Sequence, residues 1–595
     1  MTINVELNEE RTQILISAEW RFKELCKTIP GATWDSKSDV WRMPVSWSGC
    51  LALRSTFRDA LAIGPGLAQW ATDERTNRID PANALREVTV SDEGDADLFP
   101  HQRAGVEFLV TARQALLADE PGLGKTAQAI RAIKKLHDQG EDVFPALIVC
   151  PNTLKKNWER EFDRWWPGVD VTVIGGTAVQ RRKQFEEPAQ VYVINWESLR
   201  THSRLAPYGS VSLARCKACG GENGSMTESR CEVHPRELNS IDFKAVVADE
   251  IHRSKDPKSK QTRALWSASG NADIRFALTG TPIAKDVVDL WPIYHWLAPT
   301  EFPSRTRWID RMVDTMFNAF GGMMVLGVKP QMEDEFYASI NPRMRRMLKQ
   351  VVLPWLPEVI VDRRDVEMSA KQKKAYKDMK EQMIAEIEDG GIVTAPSVLT
   401  QTLRLLQLSS AYATIEIDET SGEERVILSE PSCTIDALMD DIKNADFGDD
   451  SVAVSAVSRQ LIYLLSARLT KEGIAHGLIT GAQTADERQY AIDDFQSGRT
   501  KWILFTAQAG GVGVTLTAAR RLIRLQRPWS LVDDRQVNDR VHRIGSEIHD
   551  SIIITDYVTG GTVQERVVDV LESKSDNFEQ IVKDKEQLLK MLKEG

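Results

Sequence analysis

The string Glu120-Pro121-Gly122-Leu123-Gly124-Lys125-Thr126 limits the possible fold more than any other part of the chain. Its glycines let backbone N–H groups approach phosphate at the start of a helix, where the helix dipole favours anions, and Lys125 adds a point charge for β- and γ-phosphates. Thr126 is placed to ligate Mg²⁺. A general phosphate loop opens with Gly five residues before Gly124, whereas Asp119 stands there. The context compensates: Gln114-Ala115-Leu116-Leu117-Ala118 reads as a buried strand running into the loop, and Thr126 to Ile133 reads as the helix leaving it. A Gly-Lys-Thr met by chance in a surface turn would lack both flanks.

Asp249 and Glu250 end a second apolar run, Ala245-Val246-Val247-Ala248, so both carboxylates are expected at the carboxyl edge of a parallel sheet. Phosphoryl transfer needs one carboxylate to hold Mg²⁺ and one group to orient the attacking water, which assigns Asp249 and Glu250 respectively. Further on, Arg540 and Arg543 lie three apart in a stretch whose spacing predicts a helix carrying both guanidinia on one face. Such a pair suits an arginine finger reaching across a cleft to the transferred phosphate. The competing reading is a salt-bridged surface helix, which Asp533, Asp534 and Asp539 would support.

Apolar runs alternate with amphipathic stretches from residue 98 to 300, and the rhythm returns after 450, which predicts two parallel α/β lobes. The stretch between them reads as mainly helical, and the tail from Thr562 reads as a charged amphipathic helix bracing the lobes. At 595 residues the chain exceeds what one core supports, and 42% hydrophobic with 27% charged residues fits globular domains. No apolar run is long enough to cross a bilayer and no secretory signal opens the chain, so an intracellular protein that is neither membrane-bound nor secreted is expected. A net charge of −11 argues against a polyanion-binding surface over the whole molecule. Any nucleic-acid track must be local, with candidate basic patches at Arg343 to Lys349, Arg253 to Arg263 and Arg520 to Arg527.

Cys216, Cys219, Cys231 and His234 form a second constellation, two short pairs separated by eleven residues, with Gly220-Gly221 after the first pair. The spacing suits one tetrahedral Zn²⁺, and four protein ligands leave no position for water, so the site would be structural. Reduced cysteines in a loop are the alternative.

Taken with Leu278-Thr279-Gly280-Thr281-Pro282-Ile283, the stretch Phe505 to Thr517, His542-Arg543-Ile544-Gly545 and Gly561-Thr562-Val563-Gln564-Glu565, these motifs resemble superfamily-two helicases and, more narrowly, Swi/Snf-type DNA translocases, over about residues 98 to 570. The resemblance implies two RecA-like parallel-sheet lobes with helical insertions. It makes Gln102 the adenine reader, adds Gln536 to the nucleotide contacts, and gives Asn152, Thr153, Asn195 and Thr515 to the nucleic-acid track. Ser546 replaces the Gln that usually follows His-Arg-Ile-Gly, and Val454-Ser455-Ala456 lacks the common Phe-Ser. Residues Phe22 to Pro44 look like the small HARP module that precedes annealing-helicase motors, with Trp34, Trp41 and Trp47 available either to stack on bases or to form the module's core.

The expected architecture is therefore a HARP-like α+β module (1–80), a first lobe (90–300) with a zinc insert (212–238), helical insertions and linker (301–449), a second lobe (450–560) and a bracing helix (561–595). The expected function is ATP hydrolysis with Mg²⁺, stimulated by duplex or forked DNA and driving translocation, alongside replication or repair proteins in a bacterial or virus-infected cytoplasm or a nucleus. A strand-separating DNA or RNA helicase and a non-catalytic scaffold are the rival readings.

Overall fold

The structure is a computed structural model of the whole chain, and residues 2–203, 236–282, 286–317, 323–388, 395–417, 424–510 and 514–572 are described. The chain divides into two compact units, Met1–Val352 and Leu353–Gly595. The boundary falls inside the stretch expected to be a helical linker.

The first unit is built on a parallel sheet whose described strands run, side by side, Met344–Arg345, Gln114–Leu117, Ile274–Leu278, Ala245–Asp249, Ala146–Cys150, Val191–Asn195 and Val171–Val173. Four of these, Ala146–Cys150, Val191–Asn195, Ala245–Asp249 and Ile274–Leu278, are buried at every residue. That continuous burial is why they read as unbroken apolar runs, since helices cover both faces of such a sheet. The register sets Leu117 beside Leu278, Leu278 beside Asp249, and Cys150 beside Asn195. Every loop that carries a motif therefore leaves the same edge.

Residues 3–74 form their own layer on this unit. A sheet in the order Thr33–Asp35, Val40–Pro44, Gln13–Ser17, Ile3–Leu7, Leu61–Ile63 packs with the helices Lys23–Thr28, Trp47–Phe57 and Pro65–Glu74 around Val5, Ile14, Ile16, Trp41, Met43 and Leu53. Trp41 is thus a core residue, while Trp34 stays about half exposed and leans on it with ring centroids 5.6 Å apart. The layer is clamped to the main sheet's periphery. Glu301 accepts from the backbone N–H groups of Trp47 (3.2 Å) and Ser48 (2.7 Å) and pairs with Arg78 (3.1 Å). Arg307 donates to the carbonyls of Ile29 and Ala32, and Arg311 bridges Ala52, Ser55 and Glu335.

The second unit has a six-stranded parallel sheet among its described residues, ordered Glu358–Val366, Ser551–Thr559, Arg521–Arg524, Val452–Ala456, Trp502–Thr506, His476–Ile479. Glu358–Val366 is a strand inside the middle stretch, which otherwise carries more helix than strand among its described residues. It pairs in parallel with Ser551–Thr559 over its full length, so this sheet starts well before residue 450. Two antiparallel hairpins, Val313–Phe317 with Met323–Val328 and Tyr412–Ile417 with Glu424–Ser429, also fall in that stretch. The helix Val563–Glu572 packs through Val563, Val567 and Leu571 against Tyr376, Met383, Leu405 and Leu406, so its described part belongs to the second unit's own core. Residues 573–595 lie outside the described residues.

Burial raises the Glu301 carboxyl, but Arg343, Arg78 and the Ser48 amide outweigh it and hold the group below its ordinary value. Its contribution to stability is then fully present above the carboxylate range and is lost as pH falls through it. Glu301→Ala is expected to destabilise the first unit by about 3 kcal/mol, because it takes the carboxylate from buried Arg343 and from two amides, while Arg78 keeps Glu74. Chemical unfolding read by fluorescence checks this, with Glu301→Gln losing less because it still accepts from the amides.

Candidate nucleotide site

Gln114–Leu117 delivers the chain to the loop, and the helix Lys125–Asp138 leaves it with Ala129, Ile130, Ile133 and Leu136 buried. Gly122 and Gly124 have φ of 91° and 75°, the left-handed region that favours glycine. A side chain at Gly124 would also meet Gln102, since an added Cβ would sit 2.1 Å from its Nε2. The carbonyl of Leu123, pinned inward, takes Gln102 Nε2 (3.3 Å), Gln128 Nε2 (3.1 Å) and the His101 ring (3.2 Å). With that carbonyl turned in and Leu123 N–H donating to the Glu120 carbonyl (3.3 Å), the two glycine N–H groups and the helix start are placed to face an anion. Lys125 Nζ donates to the carbonyls of Asp119 (2.8 Å) and Glu120 (3.3 Å). Thr126 follows in the first turn, half-buried.

Gln102 lies under this loop. It is 4% exposed, and its Oε1 accepts from Phe99 N–H while its Nε2 serves Leu123, so the amide ties its own helix start to the phosphate loop. His101 and Gln128 share this role and were not singled out in the sequence. A buried His and Gln flanking the motif leave no periodicity that separates them from core residues. Burial keeps the His101 imidazole below its usual pKa, hence neutral.

Asp249 ends its strand 8% exposed, and Trp158 Nε1 donates to its Oδ2 at 3.1 Å. Trp196 Nε1 donates to its backbone carbonyl at 3.0 Å, so two indoles grip one residue. Burial and then the Glu250 charge push the Asp249 carboxyl up to about 7, against the Trp158 bond and the Lys125 ammonium. Glu250 adopts φ 53°, ψ 50°, a left-handed conformation uncommon for a residue with a Cβ. Its carboxylate lies 3.3 Å from His252 Nδ1. His252 Nδ1 lies 3.1 Å from Thr279 Oγ1, which accepts from Thr281 N–H at 3.1 Å. Gly280 is needed there because an added Cβ would sit 2.5 Å from Pro121 Cγ. The phosphate loop, the Asp249-Glu250 turn and the Thr279-Gly280-Thr281 turn therefore interlock.

The chemistry of this donor set fits a magnesium nucleotide: left-handed glycines at a helix start, an ammonium, a threonine hydroxyl in the first turn, and an acidic pair at the next strand ends but one. Among the described residues no group of three or more His, Cys, Asp or Glu is arranged to hold a metal by itself. Cys216, Cys219, Cys231 and His234 lie outside the described residues.

In the second unit the helix Leu531–Asn538 stops before Arg540, so the two arginines are not carried on one helical face as expected. Asp539 N–H closes the helix on Arg535 and Val537, and the chain continues in turns that bring Ser546 N–H to the Arg543 carbonyl at 2.9 Å. Arg540 is 6% exposed and donates to the Val514 carbonyl at 3.1 Å, while its own carbonyl accepts from Leu516 N–H. That exchange sets Arg540 beside Thr515. Gln536 is buried in the same helix, and Arg543 is half-buried. The helix is held by a buried cluster that sequence reasoning assigned differently. Arg524 pairs with Asp556 (2.6 Å) and Asp534 (3.3 Å), and Arg527 with Asp534 (2.8 Å) and Asp556 (3.3 Å).

Two of the three basic patches are thereby corrected. Arg520 and Arg521 pair with Asp450, and Arg524 and Arg527 are buried in the cluster just described. Arg343, Arg345 and Lys349 are buried as well, and Arg345 pairs with Asp119 at 3.1 Å. The third patch keeps Arg253, Lys255, Lys258, Lys260 and Arg263 exposed, with Arg253 also contacting Glu197. Asn152 is exposed and Thr153 half-buried just past the Ala146–Cys150 strand. Asn195 is 6% exposed and donates to Glu197 at 2.7 Å.

Comparison with known proteins bears on the whole arrangement. An SNF2-related domain matches residues 101–411, and a helicase conserved C-terminal domain matches residues 434–545. An uncharacterized ATP-dependent helicase of Mycoplasma genitalium is 25% identical over 81% of this chain and 42% of its own length. Arabidopsis thaliana Protein CHROMATIN REMODELING 19 is 25% identical over 84% of this chain and 71% of its own. The chain spans less than half the length of the first curated relatives it matches, 42%, 28% and 43%. The SWI2/SNF2 ATPase core of Sulfolobus solfataricus, solved with double-stranded DNA, is 23% identical over 85% of this chain and 97% of that one, with a TM-score of 0.36. Because the SNF2-related match alone takes in more than half of the 595 residues, the chain belongs to the SNF2-related family.

Proposed function

We propose that this protein is a DNA-stimulated ATPase that uses ATP hydrolysis to move along, or remodel, duplex or forked DNA. The observation that carries the reading is the interlock of the phosphate loop with the Glu250–His252–Thr279 chain, which joins the group for the attacking water to the turn beneath the phosphates. Backbone N–H groups of Gly122 to Thr126 and the Lys125 ammonium bind the phosphates, and Gln102 positions the loop and reads the base. Thr126 and Asp249 would hold magnesium, whose charge screens the β- and γ-phosphates when bound. Glu250 orients water for attack. Arg540 and Arg543 neutralise charge on the transferred phosphoryl group, with Gln536 contributing to the nucleotide contacts.

Membership of the SNF2-related family supports this reading, as do relatives named for helicase, translocase and chromatin-remodelling roles. Asn152, Thr153, Asn195 and Thr515 would follow the nucleic-acid backbone, with the exposed Arg253 to Arg263 segment adding charge. The HARP-like module would help engage forked DNA, which directs the activity to replication or repair. Cys216, Cys219, Cys231 and His234 would hold a structural zinc.

Lys125→Ala is expected to abolish phosphate release. Arg543→Ala should lower turnover on the order of 10³-fold while nucleotide still binds. Release measured with single-stranded, duplex and forked DNA should be highest with fork or duplex, and a protein equally active without DNA would overturn the assignment. Displacement of a labelled strand would convert the translocase reading into a strand-separating one.

Protonated Asp249 cannot ligate a cation, so magnesium-dependent nucleotide affinity should weaken about tenfold per pH unit below 7 and level off above it. Fluorescent-nucleotide titrations across that range check this, and Asp249→Asn should remove the magnesium dependence. For the insert, metal analysis of the purified chain should find one bound zinc, and Cys216→Ser with Cys219→Ser should lose it.

A further inference from the structure

Residues 344–349 run beside the phosphate loop almost to its glycines. Met344 and Arg345 pair with Leu116 and Leu117 as the outermost strand of the sheet. The contact then continues past the strand. Ala118 N–H donates to the Arg345 carbonyl (2.7 Å) and Glu120 N–H to the Met347 carbonyl (3.0 Å). In the other direction, Met347 N–H donates to Asp119 Oδ1 (2.9 Å) and Lys349 N–H to Glu120 Oε2 (2.8 Å).

The segment is anchored by a pair of charges with no exposed surface. Arg345 Nη1 reaches both Asp119 oxygens at 3.1 Å, and its Nη2 donates to the carbonyls of Val88 (2.9 Å) and His101 (3.3 Å). Desolvating such a pair costs so much that apolar residues of equal volume are often as stable, so the pair is better explained by the geometry it fixes. Arg346 adds contacts to the carbonyls of Ala118 and Gly280, at 3.5 and 3.4 Å, touching the neighbouring turn as well. Three residues after Lys349 the first unit ends, and Leu353 opens the second.

Asp119 and Glu120 thus face two ways. Their carbonyls accept from Lys125 Nζ, and their side chains accept from Met347 and Lys349. The ammonium that these two carbonyls hold is the group a phosphate draws on, so phosphate taken up by Lys125 pulls on the Asp119 and Glu120 carbonyls through the same nitrogen. Any resulting shift of the Asp119-Glu120 backbone is carried into residues 345–349 by the paired hydrogen bonds.

We propose that residues 344–352, a two-residue strand followed by the short helix Lys349–Val352, are a coupling segment, which reports phosphate on Lys125 through Asp119 and Glu120 to the chain leading into the second unit. This rests on the nucleotide reading above. Asp119, Glu120 and Arg345 are positioning residues in it, acting through Lys125 and through the backbone.

Hydrogen exchange of the full chain, with and without a saturating non-hydrolysable ATP analogue and magnesium, tests it. Nucleotide should slow exchange in peptides covering 118–126, and by about fivefold or more at the Met347 and Lys349 amides. In Glu120→Ala, which removes only the acceptor of Lys349 N–H, the 118–126 response should persist while that of Lys349 is lost. A loop that responds while 345–352 stays unchanged in the unaltered protein overturns the coupling and spares the nucleotide reading. If neither segment responds, the nucleotide reading fails and the coupling with it. A Lys349 response in Glu120→Ala equal to that of the parent overturns the path through Glu120.

Discussion

The first unit depends on a matter of register. Leu117, Leu278 and Asp249 stand level across three adjacent parallel strands, so the loops that follow them emerge side by side. A slip of one residue in the Ala245–Asp249 strand would move Asp249 by about 3.3 Å and turn its side chain to the opposite face. The carboxylate would then lose Trp158, and Glu250 would no longer meet His252. The apolar burial of four whole strands is what holds the register, so chemistry at the sheet edge is secured by packing well away from it.

Buried charge is handled alike in both units. Asp119 with Arg345, and Arg524 and Arg527 with Asp534 and Asp556, are compensated groups with little or no exposure. Neither arrangement is an efficient way to gain stability, because each ion gives up its hydration. What each does is fix a segment that propensity alone leaves loose: the root of the phosphate loop in one case, the helix before Arg540 in the other. Asp249 is the exception. It is buried without a cation hydrogen-bonded to it among the described residues, and its raised pKa expresses that cost.

Much of this was legible in the sequence, for a physical reason. The strands buried on both faces are short apolar runs, and the phosphate loop and acidic pair follow them directly, so motif and context point to the same edge. Glu358–Val366 was missed because an edge strand exposes most of its residues and carries Asp362, Arg363, Arg364 and Asp365, which hide its alternation. The arginine spacing at Arg540 and Arg543 satisfied a helix, yet Asp539 ends it and Gly545 takes φ 103° beyond. The basic patches were misjudged for a different reason. Arg345 meets Asp119 across 226 positions of sequence, and nothing local announces such a partner.

The attachment of residues 3–74 has a mechanical consequence. Glu301, Arg307 and Arg311 grip that layer through backbone amides and carbonyls at several separate points, so it is fastened to the first unit by its main chain. A module fastened in this way is an outrigger. Load placed on its exposed Trp20 or Trp34 passes through those main-chain contacts to the body that carries the phosphate loop.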